Sequence, residues 1–151
     1  MVHELATFER AADQCALTTD ALQAALFAPS PAVWAHVAVD DATGAVVGFA
    51  VWFLNFSTWT GRHGIWLEDL YVRPDARGGG YGTALLAELG RVAAERGYPR
   101  IDWWVLDWNE TAHRFYRRLG ADSMDEWTVW RLTGDALAAL GAPGDGERRD
   151  G

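Results

Sequence analysis

Leu67-Glu68-Asp69-Leu70-Tyr71-Val72-Arg73-Pro74-Asp75-Ala76-Arg77-Gly78-Gly79-Gly80-Tyr81-Gly82-Thr83 is the stretch whose reading decides the fold. Its first six residues close a strand that begins near His63, and Pro74 to Gly80 cannot continue any regular element. Tyr81 to Arg96 then carries Leu85, Leu86, Leu89, Val92 and Ala93 on one stripe, the pattern of an amphipathic helix. Gly97 is placed to stop that helix, and Arg100 to Leu106 reads as the next strand. Strand, loop, helix and strand in this order make a crossover, so the strands around Leu70 and Val105 are expected to run parallel, joined right-handedly.

The same glycines bear on chemistry. Between a strand and a helix start they let successive N–H groups converge, and the helix end adds partial positive charge, a combination that suits phosphate. A plain turn is the competing reading. A nucleotide-triphosphate loop is excluded by the missing Gly-Lys-Ser/Thr ending, and a dinucleotide fingerprint by the glycine spacing.

Outward from this core, the upstream chain reads as helix from Met1 to about Gln14. A second short helix follows, capped by Thr18 or Thr19 and stopped by Pro29 and Pro31. Val33 to Val39, Ala45 to Phe56 and His63 to Val72 form an antiparallel meander, with Asp40 to Gly44 as a hairpin turn. Downstream, Asn109 caps a helix from Glu110 to Leu119 that ends at Gly120. Trp127 to Leu132 reads as a last strand and Asp135 to Leu140 as a short helix. The expectation is one α/β (α+β) domain over residues 1–140, a mixed sheet with helices on its faces, and a disordered tail over 141–151.

Composition narrows the function. Half of the 151 residues are hydrophobic and 23% charged, as in globular chains, and the net charge is −8. All 13 basic residues are arginine. An acidic surface argues against nonspecific nucleic-acid binding, which depends on basic residues to neutralise phosphate. No apolar run approaches the length of a membrane span and no leader pattern opens the chain, so a cytoplasmic location is expected. The single Cys15 and the scattered His3, His36, His63 and His113 give no metal-ligand spacing, and no metal is expected.

Leu67 to Val72 followed by Arg77-Gly78-x-Gly80-x-Gly82 resembles the core of the GCN5-related N-acetyltransferase superfamily. Asp107-Trp108-Asn109-Glu110 and Phe115-Tyr116-Arg117-Arg118-Leu119-Gly120-Ala121 are similar to its next block. Trp59 with Leu67-Glu68-Asp69, and Trp108-Asn109-Glu110 with Phe115-Tyr116, resemble the branch of diamine (spermidine/spermine) and thialysine acetyltransferases. The resemblance implies an acetyl-CoA-dependent enzyme that acetylates a primary amine of a small molecule by direct transfer. A protein or peptide acetyltransferase and a non-catalytic CoA-binding module are the alternatives.

It also implies a site. Coenzyme A would lie in the splay of the parallel strands, against Leu70, Tyr71 and Val72, with its pyrophosphate on Arg77, Gly78, Gly79, Gly80, Tyr81, Gly82 and Thr83. Asn109 would help bind it, besides capping its helix. Glu68 matches the family's base and Tyr116 its acid. Trp59, Glu68, Asp69 and Trp130 would hold the amine, although strand alternation sends Asp69 to the opposite face from Glu68 unless a bulge intervenes. Two acidic positions of the polyamine enzymes fall on Ser57 and Thr128, with Asp125 and Glu126 nearby as substitutes. The chain opens with the later part of the family's first helix, so either its start is truncated or misassigned or the sheet lacks the family's usual first strand; branch members imply a homodimer.

Overall fold

A computed structural model describes residues 1–142, so the expected tail from residue 143 on lies outside the described residues. The chain forms two compact units, Met1–Val105 and a second that begins at Leu106.

In the first unit the meander is present: β1 (Trp34–Val39), β2 (Val46–Ser57) and β3 (Arg62–Val72) pair antiparallel in sequence order. The β1–β2 turn closes as its composition predicts. Asp40 Oδ1 accepts from the Thr43 amide and hydroxyl, and Gly44 supplies the positive φ. Tyr81–Arg96 forms α3, ended by Gly97 in the left-handed conformation. Its stripe of Leu85, Leu89, Val92 and Ala93 packs on Ala50, Trp52, Ile65 and Leu67 of one sheet face. The other face takes α1 (Val2–Phe8), where Leu5 meets Phe49 and Tyr71.

Three expectations are corrected in this unit. The predicted opening helix stops at Phe8, because Arg10 adopts φ 61°, and only a 3-10 turn, Ala12–Gln14, follows. The strand expected over Arg100 to Leu106 is reduced to β4 (Ile101–Asp102). It does run parallel to β3, but at Ile65–Ile101 and Trp66–Asp102; no pairing joins Leu70 to Val105. The parallel strands therefore part soon after they meet. The second expected helix is α2 (Thr19–Leu26), with Thr18 Oγ1 accepting from the Ala21 amide. No strand precedes β1 among the described residues, and β1 is an edge of the sheet.

In the second unit, α4 (Glu110–Arg118) begins at Asn109, whose Oδ1 accepts from the Ala112 amide at 3.2 Å. The cap is the local reason the helix starts there. Gly120 turns the chain with φ 84°, and α5 (Gly134–Gly141) closes the described part. The strand predicted over Trp127 to Leu132 is absent: the run has strand composition, but no described strand pairs with it, and Trp127, Val129 and Trp130 stand exposed. No described helix is long and apolar enough to cross a membrane.

Candidate active site

The site is built around an irregularity in β3. Val51 faces Asp69 and the next β2 residue, Trp52, faces Leu67, so Glu68 is the extra residue of a β-bulge. Before it, Ile65 and Leu67 face α3, and after it, Leu70 and Val72 do. One inserted residue reverses the alternation, which leaves Trp66, Glu68 and Asp69 all on the face of α1. The bulge that would set alternation aside is therefore present, and Asp69 does not point away from Glu68: a bulge re-aims a side chain without ending the strand.

The carboxylates are consequently crowded. Asp69 is pushed up to about 6, first by burial and then by the charges of Glu68 and Glu9. Burial also raises the Glu9 carboxyl. Trp66 Nε1 donates to Glu68 Oε2 at 3.0 Å, while Phe53 lies 6.2 Å and Trp104 5.0 Å from the Trp66 ring, centroid to centroid. Three carboxylates beside an aromatic wall can hold a cation and accept its proton. Glu9, Phe53, Trp66 and Trp104 were not singled out in the sequence as site residues. For Glu9 no periodic signal existed, since it ends α1 and reaches Asp69 only through the packing of α1 on the sheet.

Beyond the bulge, β3 offers an unpaired edge. The Arg73 amide bonds Val47 O, which by alternation turns the main-chain groups of Tyr71 and Asp69 toward β2 and those of Leu70 and Val72 away from it. Of the predicted cofactor residues, Tyr71 thus has its main chain engaged with Phe49, its ring buried and its hydroxyl bonded to Glu4 at 3.3 Å. Arg77 is held on the strand end. Its Nε donates to Val72 O at 3.0 Å and its guanidinium sits 5.2 Å from the Phe8 ring and 5.9 Å from the Tyr71 ring.

The glycine loop uses backbone conformations that side chains disfavour. Gly78 and Gly80 take φ 85° and 84°, and a Cβ on Gly79 would lie 2.8 Å from the Tyr81 ring. The amides of Gly78, Gly80, Tyr81, Gly82 and Thr83 have no acceptor among the described residues. Tyr81 also donates its hydroxyl to Asp40 Oδ2, tying the start of α3 to the β1–β2 turn. That bond and those from Thr43 hold the Asp40 carboxyl below its ordinary value.

Trp59, at the β2–β3 turn, is 91% exposed. Tyr116, Asn109 and Trp130 belong to the second unit, where Tyr116 is half-buried on α4 with its ring 5.1 Å from Phe115 and Trp130 is 90% exposed. Among the described residues, no three His, Cys, Asp or Glu side chains are grouped to hold a metal ion.

With this geometry in view, similar proteins are informative. The chain is 36% identical over 151 residues to a thialysine N-epsilon-acetyltransferase of Bos taurus, covering 93% of this chain and 87% of the relative. It is 39% identical over 95 residues to an L-ornithine N5-acetyltransferase of Arabidopsis thaliana, covering 63% of this chain and 42% of that one. An integron cassette protein from the mobile metagenome of V. cholerae superposes with a TM-score of 0.75 at 28% identity, over 91% of this chain and 85% of that one. A family model described as "Acetyltransferase (GNAT) family" matches residues 1–121. The family match spans most of the chain and the relatives' identity extends along nearly all of it, so this chain belongs to the GNAT family of acetyltransferases.

Proposed function

We propose that this acetyltransferase moves the acetyl group of acetyl-CoA to a primary amine of a small, cationic molecule, by direct transfer in a ternary complex. The observation that carries the substrate class is the bulge at Glu68, which gathers Glu68 and Asp69 on the face where Glu9 adds a third carboxylate. The names of the thialysine and ornithine acetyltransferases, whose substrates are amino acids with a second amine, support the same class.

The residues present fit acetyl-CoA. The main-chain groups of Leu70 and the amide of Val72, which turn away from β2, suit the amide-bearing pantetheine arm, while Val72 O is taken by Arg77 Nε. The unsatisfied amides of Gly78, Gly80, Tyr81, Gly82 and Thr83 at the start of α3, with Arg77 beside them, suit its pyrophosphate. When bound, acetyl-CoA supplies the activated thioester. An amine with a pKa near 10 is roughly one part in a thousand nucleophilic at neutral pH, so a base is required. Glu68 takes the ammonium proton, directly or through a water, while Asp69 and Glu9 hold the charge of the substrate's second cationic group. The amine nitrogen would bond to the acetyl carbon as the carbon–sulfur bond breaks; Tyr116 would give a proton to the departing sulfur, and its phenolate would take back the proton the nitrogen sheds on becoming an amide. Trp59 and Trp130 belong to the same proposal as exposed aromatic surfaces for the amine, and Asn109 as a contact to coenzyme A. A homodimer completes the reading, supported by the exposed apolar side chains of Trp127 and Val129, and a cytoplasmic location belongs to the same proposal.

The test is thiol release from acetyl-CoA by the purified protein against monoamines, ornithine, lysine and thialysine, polyamines, aminoglycosides and short peptides. Release is expected to be fastest with small dicationic amines and to fall at least about tenfold in Glu68→Gln or Tyr116→Phe. Preference for peptides would replace the small-molecule reading. Acetyl-CoA binding without turnover on any amine would make the chain a binding module.

A further inference from the structure

β3 and β4 are paired at two positions only, Ile65–Ile101 and Trp66–Asp102, with the Ile65 amide bonded to Arg100 O at 3.1 Å. So short a ladder is a weak anchor for a strand whose departure defines a binding groove. A second tie reaches β4 from two strands away. Asn55 of β2 donates from Nδ2 to Asp102 Oδ2 at 2.7 Å, and Arg100 Nε lies 2.8 Å from the same oxygen.

The tie needs a gap in the strand between. Asn55 faces Gly64 of β3, and a Cβ on Gly64 would lie 2.6 Å from Asn55 Oδ1, 3.1 Å from Arg100 O and 3.2 Å from Arg100 Cγ. Gly64 is not in a left-handed conformation, so its lack of a side chain, rather than backbone freedom, is what the position uses. Asn55 Oδ1 is buried and accepts no hydrogen bond. Packing alone gives no reason to bury an amide with half of its polar capacity unmet, whereas a donor aimed at a carboxylate does.

We infer that Asn55, acting through the gap at Gly64, is a positioning residue for the acetyl-CoA groove. It clamps β4 at Asp102, the last paired residue, and thereby fixes where the parallel strands part and where the open edge at Leu70 and Val72 begins. The inference rests on the reading that this groove receives acetyl-CoA.

The experiment compares wild type with Asn55→Ala, Gly64→Ala, and the exchange Asn55→Asp with Asp102→Asn. It measures acetyl-CoA affinity by calorimetry, KM for both substrates, kcat and thermal midpoint. Asn55→Ala and Gly64→Ala are expected to raise KM and Kd for acetyl-CoA about fivefold or more, with kcat and the amine KM within about twofold. The exchange restores a donor–acceptor pair across the gap and is expected to recover most of the loss. Should Gly64→Ala not fold, Asn55→Ala and the exchange carry the test. A lower thermal midpoint with unchanged acetyl-CoA affinity in Asn55→Ala overturns the clamp, because a merely structural bond would behave so. Failure of the wild type to bind acetyl-CoA overturns the groove reading itself, and the clamp with it.

Discussion

The two halves of β3 differ in what surrounds them. At Ile65 and Trp66 the strand has β2 on one side and β4 on the other, and Ile65 and Leu67 are wholly buried under α3. From Asp69 to Val72 no described strand but β2 pairs with it, and on its other edge only Val72 O is taken, by Arg77 Nε. One bulged residue, Glu68, separates them. The first half spends its hydrogen bonds and apolar surface on holding the sheet together. The second keeps main-chain groups unpaired and carboxylates crowded, both unfavourable for stability and both usable by a ligand. Within six residues the strand passes from scaffold to site.

Four substitutions sharpen or break that contrast. Ile65→Ala removes a side chain with 0% exposure and should cost about 2–5 kcal/mol of stability, read by denaturant melts. Its kcat/KM per folded molecule is expected to stay within about threefold; a larger loss would mean that the first half is not scaffold alone. Glu68→Gln is the reverse case. It should lower kcat about tenfold or more, near 1.4 kcal/mol in the barrier, with the thermal midpoint almost unmoved because the side chain is exposed.

Asp69→Asn tests the crowding through pH. The folded-state carboxyl sits at about 6, above its value in the unfolded chain, so ionising it costs stability that is fully lost above about pH 6 and regained as pH falls toward about 4. The asparagine variant should therefore be more stable than wild type by about 1–2 kcal/mol at pH 8 and equal to it near pH 4. A difference that does not change with pH would remove the carboxylate repulsion from the account. The smallest effect belongs to Trp66→Phe, which keeps an aromatic ring but loses the bond to Glu68. It is expected to cost under about 1 kcal/mol in stability and to raise the amine KM about two- to threefold.

The regular parts of the molecule were legible because their signals are local. The stripe of α3, its glycine stop, the caps at Thr18 and Asn109, and the Asp40–Gly44 turn each follow from residues within a few positions of one another. Two strands were read too generously. Arg100 to Leu106 and Trp127 to Leu132 have the composition of strands, but a strand exists only where a neighbour pairs with it, and the chain beyond Asp102 leaves β3. Strand propensity describes a half-buried pleated surface; it does not supply the partner.

The sequence by itself determined the antiparallel meander, the crossover through α3 and the glycine turns before it, because backbone sterics and helix periodicity act over a few residues. It also determined Glu68 and Asp69 as neighbours with acid–base capacity. Only the tertiary structure decided that they share a face, since alternation forbids it and the register of β2 imposes the bulge. Only the tertiary structure brought Glu9 to Asp69, or passed the Asn55 side chain across Gly64 to Asp102. Each of these joins residues far apart in the chain, and such contacts are set by how whole elements pack, which no local spacing encodes.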